Sequence, residues 1–192
     1  ALETYAALAL PPTEFLGYAT VAAEGTVLAI IGPEGALAVA EAGQVVDVVL
    51  DRTPFYAEAG GQVGDTGTIR SERGEAEVID TTYALPGLRR HVARITSGTI
   101  DQGDSVTAAY DVERRDATRR NHTGTHVLHH ALRQVLGEHV KQAGSLVGPD
   151  RLRFDFSHYA ALTDAEIEQI EVLANKEVLA NRPVRAFETT KD

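Results

Sequence analysis

The sequence predicts an α+β fold, with an N-terminal small β-barrel followed by an α/β two-layer unit, and three features point to it. Short β-rich runs broken by Gly, Pro and Asp turns fill residues 13–110. Helical periodicity sets in at residue 112, and two further β-rich runs separate that helix from a second, capped one. Evenly spaced strands joined by hairpin turns close readily into a small barrel, whereas a few strands mixed with helices stack as layers.

Residues 1–12 are apolar but contain Glu3 and lack a basic n-region, so they read as the tail of an upstream linker and not as a secretory signal. Strands are expected over Phe15–Ala22, Thr26–Ile31, Ala36–Ala40 and Gln44–Leu50, which are rich in Val, Ile, Leu and Thr. Turns at Glu24-Gly25, Gly32-Pro33-Glu34-Gly35 and Glu41-Ala42-Gly43 divide them. Beyond a loop at residues 51–67, Gly67–Arg70, Glu75–Thr82, Leu88–Ile95 and Ser105–Tyr110 complete the barrel at residue 110. Residues 111–192 form the second unit. Leu128, Ala131, Leu132, Val135 and Leu136 recur at three and four, which predicts one helix over Val112–Leu136 that Gly137 stops. Strands follow at His139–Val147 and Leu152–Phe156. Thr163-Asp164-Ala165-Glu166 is a capping box that starts a helix with Ile167, Ile170, Val172, Leu173, Val178 and Leu179 on its apolar side. Asn181 and Pro183 end it, and Val184–Phe187 is a further candidate strand, so the unit is expected to be unfinished at Asp192.

The 192 residues and 43% hydrophobic content suit one large or two small globular domains, and no run of 18 apolar residues offers a membrane span. Zero Cys excludes a disulfide framework and makes the cytoplasm the default compartment; zero Met suggests a piece excised from a longer protein. The net charge of −10 is unevenly placed: residues 1–60 carry −7, 61–111 carry −3, 112–153 carry +4 and 154–192 carry −4. A basic island of Arg114, Arg115, Arg119, Arg120, Arg133, Lys141, Arg151 and Arg153 fits one localised anionic partner better than a long duplex track. A solvated helix with alternating charge accounts for the same residues.

That island contains the chemistry-bearing residues. At 100° per residue, His122, His126, His129 and Arg133 fall within about 60° of one another, with Thr125 at the seam of the apolar face. Imidazoles at i and i+4 can reach one ion, so His122 and His126 offer half a zinc site, although spacing alone favours solvated or hydrogen-bonded histidines at a domain seam. Thr123 stands where a zinc peptidase would have its glutamate, which disfavours peptidase chemistry. The loop at 51–67 holds Gly60, Gly61, Gly64 and Gly67 beside Phe55, Tyr56 and Gln62. It either lines a site or closes the barrel with glycines serving geometry alone.

Three stretches taken together resemble the editing domain of the alanyl-tRNA synthetases. They are Thr53-Pro54-Phe55-Tyr56-Ala57-Glu58-Ala59-Gly60-Gly61-Gln62-Val63-Gly64-Asp65-Thr66-Gly67, then Asn121-His122-Thr123-Gly124-Thr125-His126, then His139 to Val147 running into Arg151-Leu152-Arg153-Phe154-Asp155-Phe156-Ser157-His158. Their order and spacing match across most of residues 13–188.

The resemblance implies a cis-editing hydrolase that removes serine or glycine wrongly attached to tRNA(Ala), within a synthetase whose ATP-using aminoacylation domain lies upstream. It implies a zinc site in which His122 and His126 join a Cys and a His of a C-terminal motif beyond this chain. Thr125 and Gln142 match positions implicated in serine recognition and editing, and with the two histidines they make up the expected catalytic set. Arg119, Arg120 and Arg133, with Gly60 and Gly61, are the expected contacts to the tRNA acceptor end, since guanidinium groups and backbone amides suit phosphates. A site that hydrogen-bonds the serine hydroxyl can reject alanine by about 10⁴-fold, whereas an apolar pocket cannot. Two rival readings are a free-standing trans-editing deacylase and a non-catalytic module that binds the tRNA acceptor end.

Overall fold

A computed structural model describes residues 2–184. In chain order the elements are α1 (Leu2–Ala7), β1 (Glu14–Phe15), β2 (Ala22–Gly32), β3 (Gly35–Leu37), β4 (Val39–Glu41), β5 (Val45–Leu50), β6 (Arg52–Thr53) and β7 (Gly67–Ser71). Then come β8 (Gly74–Leu85), β9 (Leu88–Asp101), β10 (Ser105–Tyr110), α2 (Val112–Leu136), β11 (Gln142–Val147), β12 (Leu152–Phe156) and α3 (Asp164–Leu179).

Six antiparallel strands close the barrel in the order β10-β7-β8-β9-β5-β2, and β2 returns to pair with β10. Its interior alternates large and small: Ile30, Leu50, Ile69 and Ile95 fill the volume while Ala76, Ala93 and Ala108 sit where facing strands leave little room. The α+β class and the barrel expected from the sequence are present. The second unit packs α2 and α3 with the β11–β12 hairpin around Ala131, Leu132, Val140 and Ile170, with Leu128, Phe154 and Phe156 against them. Asp111 caps α2 by accepting from the Arg114 amide, and Gly137 stops it at φ 112°. Thr163 and Glu166 form the reciprocal capping box at the start of α3.

Several expected elements differ. The first twelve residues are not a bare tail: α1 lays Tyr5 against Ala29, Ile31, Val49 and Leu88 on the outer face of the barrel. The Tyr5 hydroxyl donates to Asp47, which also accepts from Arg90 at 3.0 Å. The expected strand Phe15–Ala22 is mostly turn, because the backbone at Gly17 runs so close to Pro54 that a Cβ there would lie 2.1 Å from the Pro54 carbonyl oxygen. Glu24-Gly25 is strand and not turn, paired with β10. Residues 96–101, expected to lie outside a strand, extend β9, with β4 paired against them and Gly98 at φ 62° absorbing the irregularity. Residues 139–141 precede β11 instead of opening it. Along α3 only Ile170 is buried; Ile167, Val172, Val178 and Leu179 are exposed, since one line of the helix touches α2. Val184 lies outside any strand, and the rest of the candidate strand at 184–187 lies outside the described residues.

One buried polar group ties the barrel core to the long loop. His91 on β9 is fully buried, with Nδ1 donating to the Val48 carbonyl at 2.9 Å and Nε2 accepting from the Thr53 hydroxyl at 2.8 Å. The Thr53 oxygen accepts in turn from the Phe55 amide, and the His91 ring meets Phe55 edge-on at 5.2 Å. Desolvation pushes the His91 pKa from 6.5 down to about 4, so the unfolded chain takes up a proton in that interval that the folded chain refuses. Stability is therefore expected to fall as pH drops from about 6.5 to about 4, and to stop responding to this group below that. The loss is roughly 3 kcal/mol if the shift is fully realised. Urea midpoints across this range check it, and a His91→Gln chain should lack that part of the slope.

Candidate active site

The loop between β6 and β7 is fixed at its base by a buried ion pair. Arg115, in the first turns of α2, sends Nε to both Asp65 carboxylate oxygens at 2.8 and 2.9 Å and Nη2 to the same carboxylate. The guanidinium also donates to the Gly17 carbonyl at 3.1 Å and the Pro54 carbonyl at 3.0 Å, and lies 3.9 Å from the Tyr110 ring centroid. Asp65 accepts a further bond from the Tyr56 amide at 2.7 Å. Arg114 donates to the Gly64 carbonyl at 2.7 Å. Two arginines of the basic island are thus spent on holding this loop.

The tip of the loop is a tight turn in which Ala59 and Gln62 exchange backbone bonds in both directions. Gly60 and Gly61 take φ of 59° and 85°, the left-handed region that favours glycine. Gly61 has a second constraint: a Cβ there would lie 2.5 Å from Ser145 Oγ and 2.6 Å from the Ser145 carbonyl oxygen. The approach is needed because Val147 donates to the Gly61 carbonyl at 2.7 Å and accepts from the Val63 amide at 3.0 Å, adding the loop in parallel to β11. The same turn carries Gln62, 7% exposed, to α2, where its Oε1 lies 2.6 Å from Nδ1 of His122.

His122 and His126 stack on the exposed side of α2, ring centroids 5.2 Å apart and planes 22° from parallel. Partial burial, and then the like charge His126 would carry, lower the His122 pKa and favour a neutral ring. His129 shares their angular sector but turns inward against Phe154 at 5.0 Å. Thr125 is buried and its hydroxyl donates to the Asn121 carbonyl at 2.9 Å. Gln142, exposed at the start of β11, donates from Nε2 to Ser145 Oγ at 3.1 Å. Ser145 therefore links Gln142 to the glycine turn, as Gln62 links that turn to His122.

The expected acceptor-end contacts are unevenly disposed. Arg119 is exposed and pairs with Asp116 at 3.3 Å; Arg120 and Gly60 are exposed. Arg133 lies farther along α2, its charge met by Glu138. Among the described residues no third His, Cys, Asp or Glu groups with His122 and His126. The two imidazoles match the nitrogen-donor chemistry of zinc as half of a tetrahedral set. The sequence marks Gln62 only as one residue of a loop that could line a site, and it marks neither Ser145 nor the Asp65–Arg115 pair as functional parts. Gln62 had a signal in following Gly60-Gly61, whereas the pair joins positions 50 residues apart with nothing local to announce it.

Residues 2–114, more than half of the chain, match the family described as tRNA synthetases class II (A). Over 182 residues the chain is 50% identical to the alanine–tRNA ligase of Roseiflexus sp. (strain RS-1), covering 95% of this chain and 20% of that protein. It is 51% identical over 180 residues to the alanine–tRNA ligase of Paracoccus denitrificans, and 51% over 172 residues to that of Thermus thermophilus, covering 94% and 90% of this chain. The chain belongs to the alanyl-tRNA synthetase family. It spans about a fifth of the length of the curated relatives it matches.

The geometry at the turn separates its two glycines. Gly60→Ala meets open space and incurs only the left-handed backbone cost, about 1 kcal/mol. Gly61→Ala adds a clash with Ser145 backbone and should cost roughly 2 to 4 kcal/mol. Chemical denaturation should show that order, and hydrogen exchange at the Val63 and Val147 amides should accelerate far more for Gly61→Ala.

Proposed function

We propose that this chain is the editing part of an alanine–tRNA ligase, hydrolysing the ester of serine or glycine wrongly attached to tRNA(Ala). On this reading the protein that contains it charges tRNA(Ala) with alanine using ATP. The observation that carries the proposal is the convergence on one glycine turn of the His122–His126 pair, through Gln62, and of Gln142, through Ser145. These are a nitrogen-donor face, an exposed amide and a turn made of backbone with no side chain at its tip.

His122 and His126 would hold a zinc ion whose other ligands come from outside the described residues. Bound there, zinc supplies polarisation of the ester carbonyl or a water of lowered pKa. The chain's own groups bind and orient. The Thr125 hydroxyl gives its proton to the Asn121 carbonyl and so keeps an acceptor lone pair, while the Gln142 amide retains a second N–H beyond the one given to Ser145. On this reading a serine hydroxyl donates to the first and accepts from the second, contacts that an alanine methyl cannot make. Arg119, Arg120 and the exposed Gly60 amide face the sugar–phosphate end of the tRNA in this proposal.

Deacylation assays on the full-length protein test it. Ser-tRNA(Ala) should be hydrolysed with Ala-tRNA(Ala) largely spared. His122→Ala or His126→Ala should abolish the reaction, and Gln142→His should slow serine removal by about tenfold or more through the lost amide contact. Tight binding of the acceptor end without hydrolysis would instead support a non-catalytic module.

A further inference from the structure

At the tip of the loop, Gln62 has a tightly constrained place. Its backbone is held by both bonds to Ala59, its neighbours Gly61 and Val63 are bonded to Val147, and it is 7% exposed. Its amide therefore stands on a rigid support and has little room to move. With the Gln62 carbonyl oxygen 2.6 Å from Nδ1 of His122, the proton of the neutral ring lies on Nδ1 and is donated to that oxygen. Nε2 then keeps its lone pair. A hydrogen bond to one ring nitrogen is what decides which nitrogen is left for a ligand or a proton.

We propose that Gln62 is a positioning residue that locks His122 in the Nδ1–H tautomer and so leaves Nε2 as the working nitrogen of the histidine pair. The barrel thereby contributes to a centre whose histidines all lie on α2. In its consequence for hydrolysis this rests on the editing reading above; the tautomer assignment does not.

Nitrogen-15 NMR of histidine-labelled chain near neutral pH reads the tautomer directly. The chain with Gln62 should show Nδ1 of His122 protonated and Nε2 bare. Gln62→Leu, which keeps the bulk but removes the acceptor, should lose that pattern, and Gln62→Glu, which keeps an acceptor oxygen, should restore it. Unaltered exchange at the Val63 amide in the leucine variant shows that the turn is intact. In the full-length protein, Gln62→Leu should hold zinc about 10- to 100-fold less tightly against a competing chelator. It should also lower kcat for deacylation with KM little changed, and Gln62→Glu should recover both. A proton on Nε2 in the unaltered chain, or an unchanged tautomer in Gln62→Leu, overturns the proposal whatever the hydrolysis assay gives. The expected tautomer pattern in a protein that never deacylates would overturn the editing reading and leave the role of Gln62 standing.

Discussion

The Asp65–Arg115 ion pair is the constraint on which the candidate site depends. Both partners are nearly excluded from water, a costly arrangement unless every remaining donor and acceptor is used. Here nearly all are used: the guanidinium also caps two carbonyls and lies over Tyr110, and the carboxylate takes the Tyr56 amide. The pair joins the start of α2 to both ends of the long loop. With the loop base fixed to the helix that bears the histidines, the turn one step further on can touch that helix reproducibly.

What the turn does follows from its lack of side chains. At Gly61 a strand-like bond to β11 brings backbone within contact distance of Ser145, which a Cβ would prevent. The close approach lets a barrel loop act as a short extra strand of the second unit. It then offers one amide to a histidine on one side and packs on the serine that holds Gln142 on the other. Buried His91 supports the same loop from inside the barrel through Thr53 and Phe55. These contacts bind the barrel and the α/β unit together around the histidine face.

Much of this was legible in the residues because it was local. Helix α2 runs over the span its periodicity and its Gly137 stop indicate, and the Thr163–Glu166 capping box starts α3 where expected. Local signals misled where tertiary contact decided: Phe15–Ala22 has strand composition but turns because Gly17 must pass close to Pro54, and Glu24-Gly25 reads as a turn yet pairs within the barrel. Charge misled in the same way. Arg114 and Arg115 belong to the basic island by sequence, but the structure commits them to Gly64 and Asp65. Helical geometry placed His122, His126 and His129 together; only the position of Phe154, from a strand more than 20 residues away, draws His129 inward. Gln62 belongs to a loop already marked as one that could line a site, but its bond to His122 and the part played by Ser145 depend on that loop lying on β11, which no local pattern announces.

A double-mutant cycle across the Asp65–Arg115 pair tests the central claim most directly, with stability read by denaturation and loop order by exchange at the Val63 amide. Asp65→Leu and Arg115→Leu should each cost about 3 to 5 kcal/mol, since each leaves a buried charge unpaired. The double variant should cost less than their sum by about 2 kcal/mol or more, and Val63 exchange should accelerate in both single variants. Additive costs with unchanged Val63 exchange would contradict the account, because the loop would then be held on the histidine helix by something other than this pair.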